Sequence, residues 1–167
     1  MSMFSYKIVL VGNFGVGKTS LIRRFVENSF SEEYLSTIGV SISKKTIGDA
    51  TIMIWDIEGH TEFKPIFKQY LMGAKGFILV ADLLREETIE ALKGHIELCH
   101  QVVKDAPLCI ALNKCDMPHD VDAEDMQAIE NFSPSILKVL KTSAKENEAV
   151  EELFLALDTK IKESIKA

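Results

Sequence analysis

The chain has 167 residues, 47% of them hydrophobic and 26% charged, with a formal charge of −6. That length suits one domain with a sizeable core, and that composition suits a soluble globular protein rather than a fibrous or low-complexity one. An acidic chain without a basic stripe does not attract a nucleic-acid backbone, and no run reaches the roughly 20 apolar residues of a membrane span.

The N-terminal stretch "MSMFSYKIVLVG" has one lysine and a short apolar run, so neither a signal peptide nor, with Ser2, N-myristoylation is expected. Tyr6 to Val11 reads as a strand that opens into Gly12-Asn13-Phe14-Gly15-Val16-Gly17-Lys18-Thr19. That loop matches G-x-x-x-x-G-K-[ST] and is followed by a helix expected over Lys18 to Glu27, the context the motif requires. Glycines let successive N–H groups turn inward, and the helix N-terminus adds a positive end for phosphate oxygens. Lys18 would reach the β- and γ-phosphates and the Thr19 hydroxyl would bind Mg²⁺. A plain glycine turn is the competing reading. The loop alone separates neither ATP from GTP nor a kinase from a switch.

Gly39 to Thr46 and Thr51 to Ile57 alternate around Gly48-Asp49 and predict a β-hairpin, hence one antiparallel strand pair at a sheet edge. Glu62 to Met72 and Glu86 to Lys104 carry helical patterns. Gly76 to Ala81 and Leu108 to Leu112 are near-continuously apolar, as strands buried on both faces should be. Ala123 to Glu130 reads as a helix and Ile136 to Leu140 as a sixth strand. In the last helix, Glu148 to Lys162, Val150, Leu153, Phe154, Leu157 and Ile161 form one burying stripe. The alternation predicts one α/β domain over 1–167. Its sheet is six-stranded and mostly parallel, with one antiparallel edge strand, five helices cover both faces, and ligands bind at the strands' carboxyl ends. Cys99, Cys109 and Cys115 are odd in number and lack metal-ligand spacing; two lie in or beside apolar runs and are expected to be buried thiols, which suits a reducing, cytoplasmic setting. His95 and His100 do not share a helix face for a metal, so packing or solvated roles are expected of them and of His119.

"NKCD", Asn113 to Asp116, directly follows the fifth strand. A carboxylate there can accept from both N1–H and N2–H₂ of guanine, donors that adenine lacks. A site of this kind can discriminate by about 10⁴, because the wrong base leaves its polar groups unpaired. "TSAK", Thr142 to Lys145, follows the sixth strand in the same way, and the two loops are expected to meet at one rim.

With these motifs in place the chain resembles a Ras-superfamily small GTPase, a P-loop NTPase, over Ser5 to about Lys162. It is most similar to the Rab branch, which "YLSTIGV" and "IWD" resemble in wording. The resemblance implies GTP/GDP and Mg²⁺ as ligands. Asn13, Phe14, Gly15, Val16, Gly17, Lys18 and Thr19 would line the phosphates, with Ser20 at the α-phosphate and Tyr34 nearby. Phe30 would lie edge-on to guanine, Lys114 and Lys145 would flank its faces, and Asn113 would tie the base loop to the phosphate loop. Ser143 would line the base and the Ala144 N–H would donate to O6. Thr37 would coordinate Mg²⁺ when a γ-phosphate is present, and Asp56 would hold a Mg²⁺-bound water. The Gly59 N–H would donate to the γ-phosphate. Losing that phosphate would release switch I (30–40) and switch II (57–72), through which effector and regulator proteins would bind a monomer. The Thr37 to Asp56 hairpin is shorter than the Rab pattern, so no known effector carries over. "DTKIKESIKA" contains no cysteine, and no lipid anchor is expected in this chain.

Three departures touch the chemistry. "DIEGH" stands where the family shows Asp-x-Ala-Gly-Gln, so His60 replaces the water-orienting glutamine and Glu58 a small alanine. Phe14 occupies a position normally held by Gly or Ser, where its ring should obstruct an activator's arginine finger. One reading is neutral change in a working enzyme, since translational GTPases carry a His at this position. The other is convergence on slow intrinsic hydrolysis, with Lys18, the Gly59 amide and His60 as the catalytic groups. Glu58 near the γ-phosphate would penalise GTP about a hundredfold unless it turns to solvent or toward Lys64. A non-enzymatic, nucleotide-dependent binding module is the first rival. A nucleotide kinase is disfavoured by "NKCD" and by arginines limited to Arg23, Arg24 and Arg85.

Overall fold

A computed structural model describes residues 4–31, 39–61 and 65–166. Six strands, β1 (Phe4–Gly12), β2 (Val40–Ile47), β3 (Ala50–Ile57), β4 (Ala74–Asp82), β5 (Leu108–Asn113) and β6 (Ile136–Thr142), form one sheet in the order β2-β3-β1-β4-β5-β6. β2 runs antiparallel to β3 at the edge and every other neighbouring pair is parallel. The hairpin turns at Gly48-Asp49, where Gly48 takes a left-handed φ of 58°.

The alternation of side chains along the central strands feeds two separate cores. Ile8, Leu10, Ile78 and Val80 point to one face with Leu153, Phe154, Leu157 and Ile161 of helix α5 (Val150–Lys166). Val9, Val11, Phe77 and Leu79 point to the other with Leu92, Ile96 and Cys99 of helix α3 (Leu92–Val102). Period two in the strands and a stripe on each helix therefore dictate the three layers. Helix α1 (Lys18–Glu27) joins α5, with the Phe25 and Phe154 rings stacked at 4.1 Å. Helix α4 (Ala123–Glu130) places Ile129 in the second core.

Two helical expectations are corrected. Of Glu62 to Met72, residues 62–64 lie outside the described residues. The remainder holds only a 3₁₀ turn, Lys68–Leu71. Pro65 is the physical reason, because inside a helix it removes a donor and clashes with the preceding turn. The long helix expected over Glu86 to Lys104 is instead α2 (Glu86–Glu90) and α3, separated by a tightened turn at Ala91 (φ −71°, ψ −17°).

α5 is also strapped across the sheet. The Tyr6 hydroxyl donates to buried Asp158, and burial together with that carboxylate pushes the phenol's pKa up. Lys162 Nζ lies 3.0 Å from Asp158 and donates to the Ile47 carbonyl at 3.0 Å, next to the hairpin turn. Among the described residues no helix is long and apolar enough to cross a membrane.

Candidate functional site

The carboxyl ends of β1, β3, β5 and β6 bring four loops to one edge of the sheet. β1 ends at Gly12 and α1 begins at Lys18, so the glycine loop spans the gap between them. Gly15 and Gly17 take left-handed φ values of 79° and 100°, which L side chains rarely adopt. A Cβ on Gly17 would also lie 2.3 Å from Asn113 Nδ2, so only glycine fits there. The first turn of α1 then presents Lys18, Thr19 and Ser20. Lys18 is only 6% exposed; burial lowers its pKa, and the Asp56 carboxylate opposes that shift. A buried ammonium beside backbone N–H groups is a seat for phosphate.

Thr19 Oγ1 donates to Asp56 Oδ2 at 2.5 Å, so a hydroxyl and a buried carboxylate from α1 and β3 meet beside that ammonium. Hard oxygen donors of this kind suit Mg²⁺. Thr37 and Tyr34 lie outside the described residues.

At the other end, side chains wire the loops together. Asn113 Nδ2 donates to the Val16 carbonyl at 3.0 Å, while its Oδ1 accepts from Thr142 Oγ1 at 3.1 Å. Lys114 Nζ bonds Asp82 Oδ2 at 2.7 Å and the Gly15 carbonyl at 3.3 Å. Ser143 Oγ donates to Asp116 Oδ1 at 2.8 Å, so the "NKCD" and "TSAK" loops meet at one rim with the Asp116 side chain exposed. Arg24 on α1 donates to the Ala144 carbonyl at 2.8 Å and the Lys145 carbonyl at 2.9 Å. Ala144 is buried, Lys145 is exposed, and Phe30 is half-buried against the first core.

The segment after β3 lies directly on the phosphate loop. The His60 N–H donates to the Gly12 carbonyl at 2.9 Å and the Phe14 N–H donates to the His60 carbonyl at 2.9 Å. Gly59 is in the same contact: a Cβ there would come within 2.6 Å of Phe14 Cα. The Phe14 side chain is 43% exposed, and the Phe14 carbonyl accepts from Arg85 Nη1 at 2.9 Å. The Glu58 N–H donates to the Gly39 carbonyl at 2.8 Å and its residue is half-buried. Lys64 lies outside the described residues.

Three residues of this edge were given no place at the site by the sequence reading, although a packing or solvated role was expected of His95. Asp82 closes β4 as a buried carboxylate that joins Lys114, and a polar residue ending an apolar strand was the available signal. Arg85 reaches the phosphate loop from the turn after β4. His95 on α3 packs against His60 with ring centroids 5.4 Å apart. Burial, followed by the positive charges of His60 and Lys18, lowers the His95 pKa to about 4. No local sequence signal links His95 to His60, which lies 35 positions earlier.

The sequence model of the Ras family matches residues 7–163. The Ras-related protein Rab-1C of Dictyostelium discoideum is 33% identical over 164 residues, 95% of this chain and 81% of that protein. RabC of the same organism is 34% identical over 168 residues, covering 96% and 86%. The GTP-binding protein YPT1 of Saccharomyces cerevisiae is 32% identical over 167 residues, covering 97% and 81%.

Proposed function

The chain belongs to the Ras family of small GTPases, in its Rab branch, and from that premise we propose a Mg²⁺-dependent GTP/GDP switch with slow intrinsic hydrolysis. The observation that carries it is the Asn113 clamp: one side chain joins the base loop to the phosphate loop through Val16 and to the sixth strand through Thr142. A base reader and a phosphate seat held at fixed separation select a whole nucleotide.

Each residue then has a physical task. Asp116, steadied by Ser143, reads the N1–H and N2–H₂ edge of guanine, while Ser143 and Ala144 border the base. Lys114 and Lys145 cover its faces with their stems, and Phe30 closes its edge. Asn13, Phe14, Gly15, Val16 and Gly17 offer backbone to the phosphates, Lys18 supplies a buried positive charge, and Ser20 contacts the α-phosphate. Tyr34 and Thr37 complete the site from switch I. Thr19, Asp56 and Thr37 would hold Mg²⁺, which supplies charge neutralisation on the phosphate oxygens when bound.

Hydrolysis is attack of water on the γ-phosphorus, with cleavage toward the β-phosphate to give GDP and phosphate. Lys18 and the Gly59 amide stabilise negative charge there, and a nitrogen of the His60 imidazole accepts from the attacking water. The rate is low because an imidazole reaches that water only in a restricted ring orientation, and Phe14 crowds the approach of an external arginine. Exposed Ile42 pairs across the hairpin with Trp55, whose ring meets Tyr70 and through it exposed Phe67, an apolar run from the hairpin to switch II where effectors and regulators of a cytoplasmic monomer bind.

Nucleotide retained on the purified protein, followed by a single-turnover assay with Mg²⁺–GTP, tests this reading. Bound guanine nucleotide with slow, measurable phosphate release is expected. Guanine binding with no release would favour a hydrolysis-deficient binding module, and retained adenine nucleotide would overturn the reading.

A further inference from the structure

The placement of His95 leads one step past the function above, and it rests on that reading only for the role of His60. The His60 peptide is bonded to the phosphate loop on both sides, to Gly12 and to Phe14. Those bonds fix the backbone but place no restraint of their own on χ1 and χ2 of the imidazole. A ring that samples several wells spends little time in the one orientation useful to an attacking water.

Among the described residues, the aromatic ring that meets it is His95, with centroids 5.4 Å apart and planes at 75°, an edge-to-face pair. His95 is 6% exposed and stands on α3, whose Leu92, Ile96 and Cys99 are embedded in the second core. The support is therefore stiff. Its Nδ1 is buried and has no hydrogen-bond partner among the described residues, a cost that a phenylalanine or leucine of similar size would avoid.

We propose that His95 is the positioning residue for His60: its buried ring packs edge-to-face on the His60 imidazole and holds it beside the phosphate loop. His95 touches neither nucleotide nor water in this scheme. It acts through His60.

The test uses the full chain with Mg²⁺–GDP bound and histidine rings isotopically labelled. Wild type, His95→Phe and His95→Ala are compared, with His60→Ala assigning the resonances. In wild type and His95→Phe the His60 ring protons should be displaced by the neighbouring ring current, and in His95→Ala they should move to values of a freely turning histidine. Identical His60 shifts in wild type and His95→Ala overturn the proposal. Single-turnover hydrolysis then closes a double-mutant cycle. His95→Ala should slow phosphate release several-fold in the wild-type background and have no effect in the His60→Ala background, while His95→Phe retains most of the rate. Equal slowing in both backgrounds means a general structural role and also overturns it. If His60→Ala hydrolyses like wild type, the water-orienting role of His60 fails, and the ring-current comparison alone decides the contact.

Discussion

The two ends of the cleft are built on different terms. At the base end, side chains bond side chains: Asn113 with Thr142, Lys114 with Asp82 and Asp116 with Ser143. At the γ-phosphate end the contacts are mostly backbone, as between His60 and the phosphate loop, and Asn13 Oδ1 and His95 Nδ1 are buried without partners among the described residues. A region that satisfies its own polar groups is formed before any ligand arrives. A region that leaves them open is completed by what binds or by what moves. This chain's departures from the family pattern, Phe14, Glu58 and His60, all fall in this second region.

The sharpest way to break that contrast is Asp116→Asn. Guanine affinity should drop on the order of 10⁴-fold and preference should move toward the xanthine base, as read by competition titration. An unaltered preference would mean that the base end is not a reader at all. Next is the acid limb of stability. His95 has a pKa of about 4 when folded against an ordinary 6.5, so the unfolded chain binds the extra proton between those values. Stability from this group is complete above pH 6.5 and declines as pH falls toward 4, by about 3 kcal/mol in total. Urea unfolding across that window should show the decline in wild type and a flatter profile in His95→Phe.

Asn113→Ala tests the rigid end at a smaller scale. It strips the partners of Val16 O and Thr142 Oγ1 and should destabilise the fold by about 2 kcal/mol, with weaker GDP and GTP binding alike. Loss confined to one of the two nucleotides would contradict a clamp shared by both. Smallest is Arg85→Ala, which frees the Phe14 carbonyl from a partly solvated guanidinium and should change stability by no more than about 1 kcal/mol. Its informative readout is whether GTP dissociates faster while GDP does not.

Much of the fold was legible because its signals are local. Helices α1 and α4 match the expected bounds: Gly17-Lys18 opens one, and an Asp122–Asp125 capping box opens the other. The hairpin was readable from alternation around Gly48-Asp49. Pro65 was available as a warning against a helix over Glu62 to Met72, and helical periodicity outweighed it. Side-chain meetings across the cleft were a different matter. Asp82 and Lys114 are 32 positions apart, and His60 and His95 come from different faces of the chain's path, so no local pattern links them. Testing His95 against His100 for a shared metal looked along the helix, when the relevant partner lay across it.

The strap formed by Tyr6, Asp158 and Lys162 bears on how a signal can leave the molecule. Because Lys162 grips Ile47 at the far turn of the hairpin, β2 and β3 are moored at that end to the C-terminal helix. A sliding of the ribbon past β1 would have to break this bond as well as the β1–β3 ladder. The far end of the hairpin is thereby tied to the C-terminal helix, while the near end, from Val40 paired with Ile57, abuts the cleft.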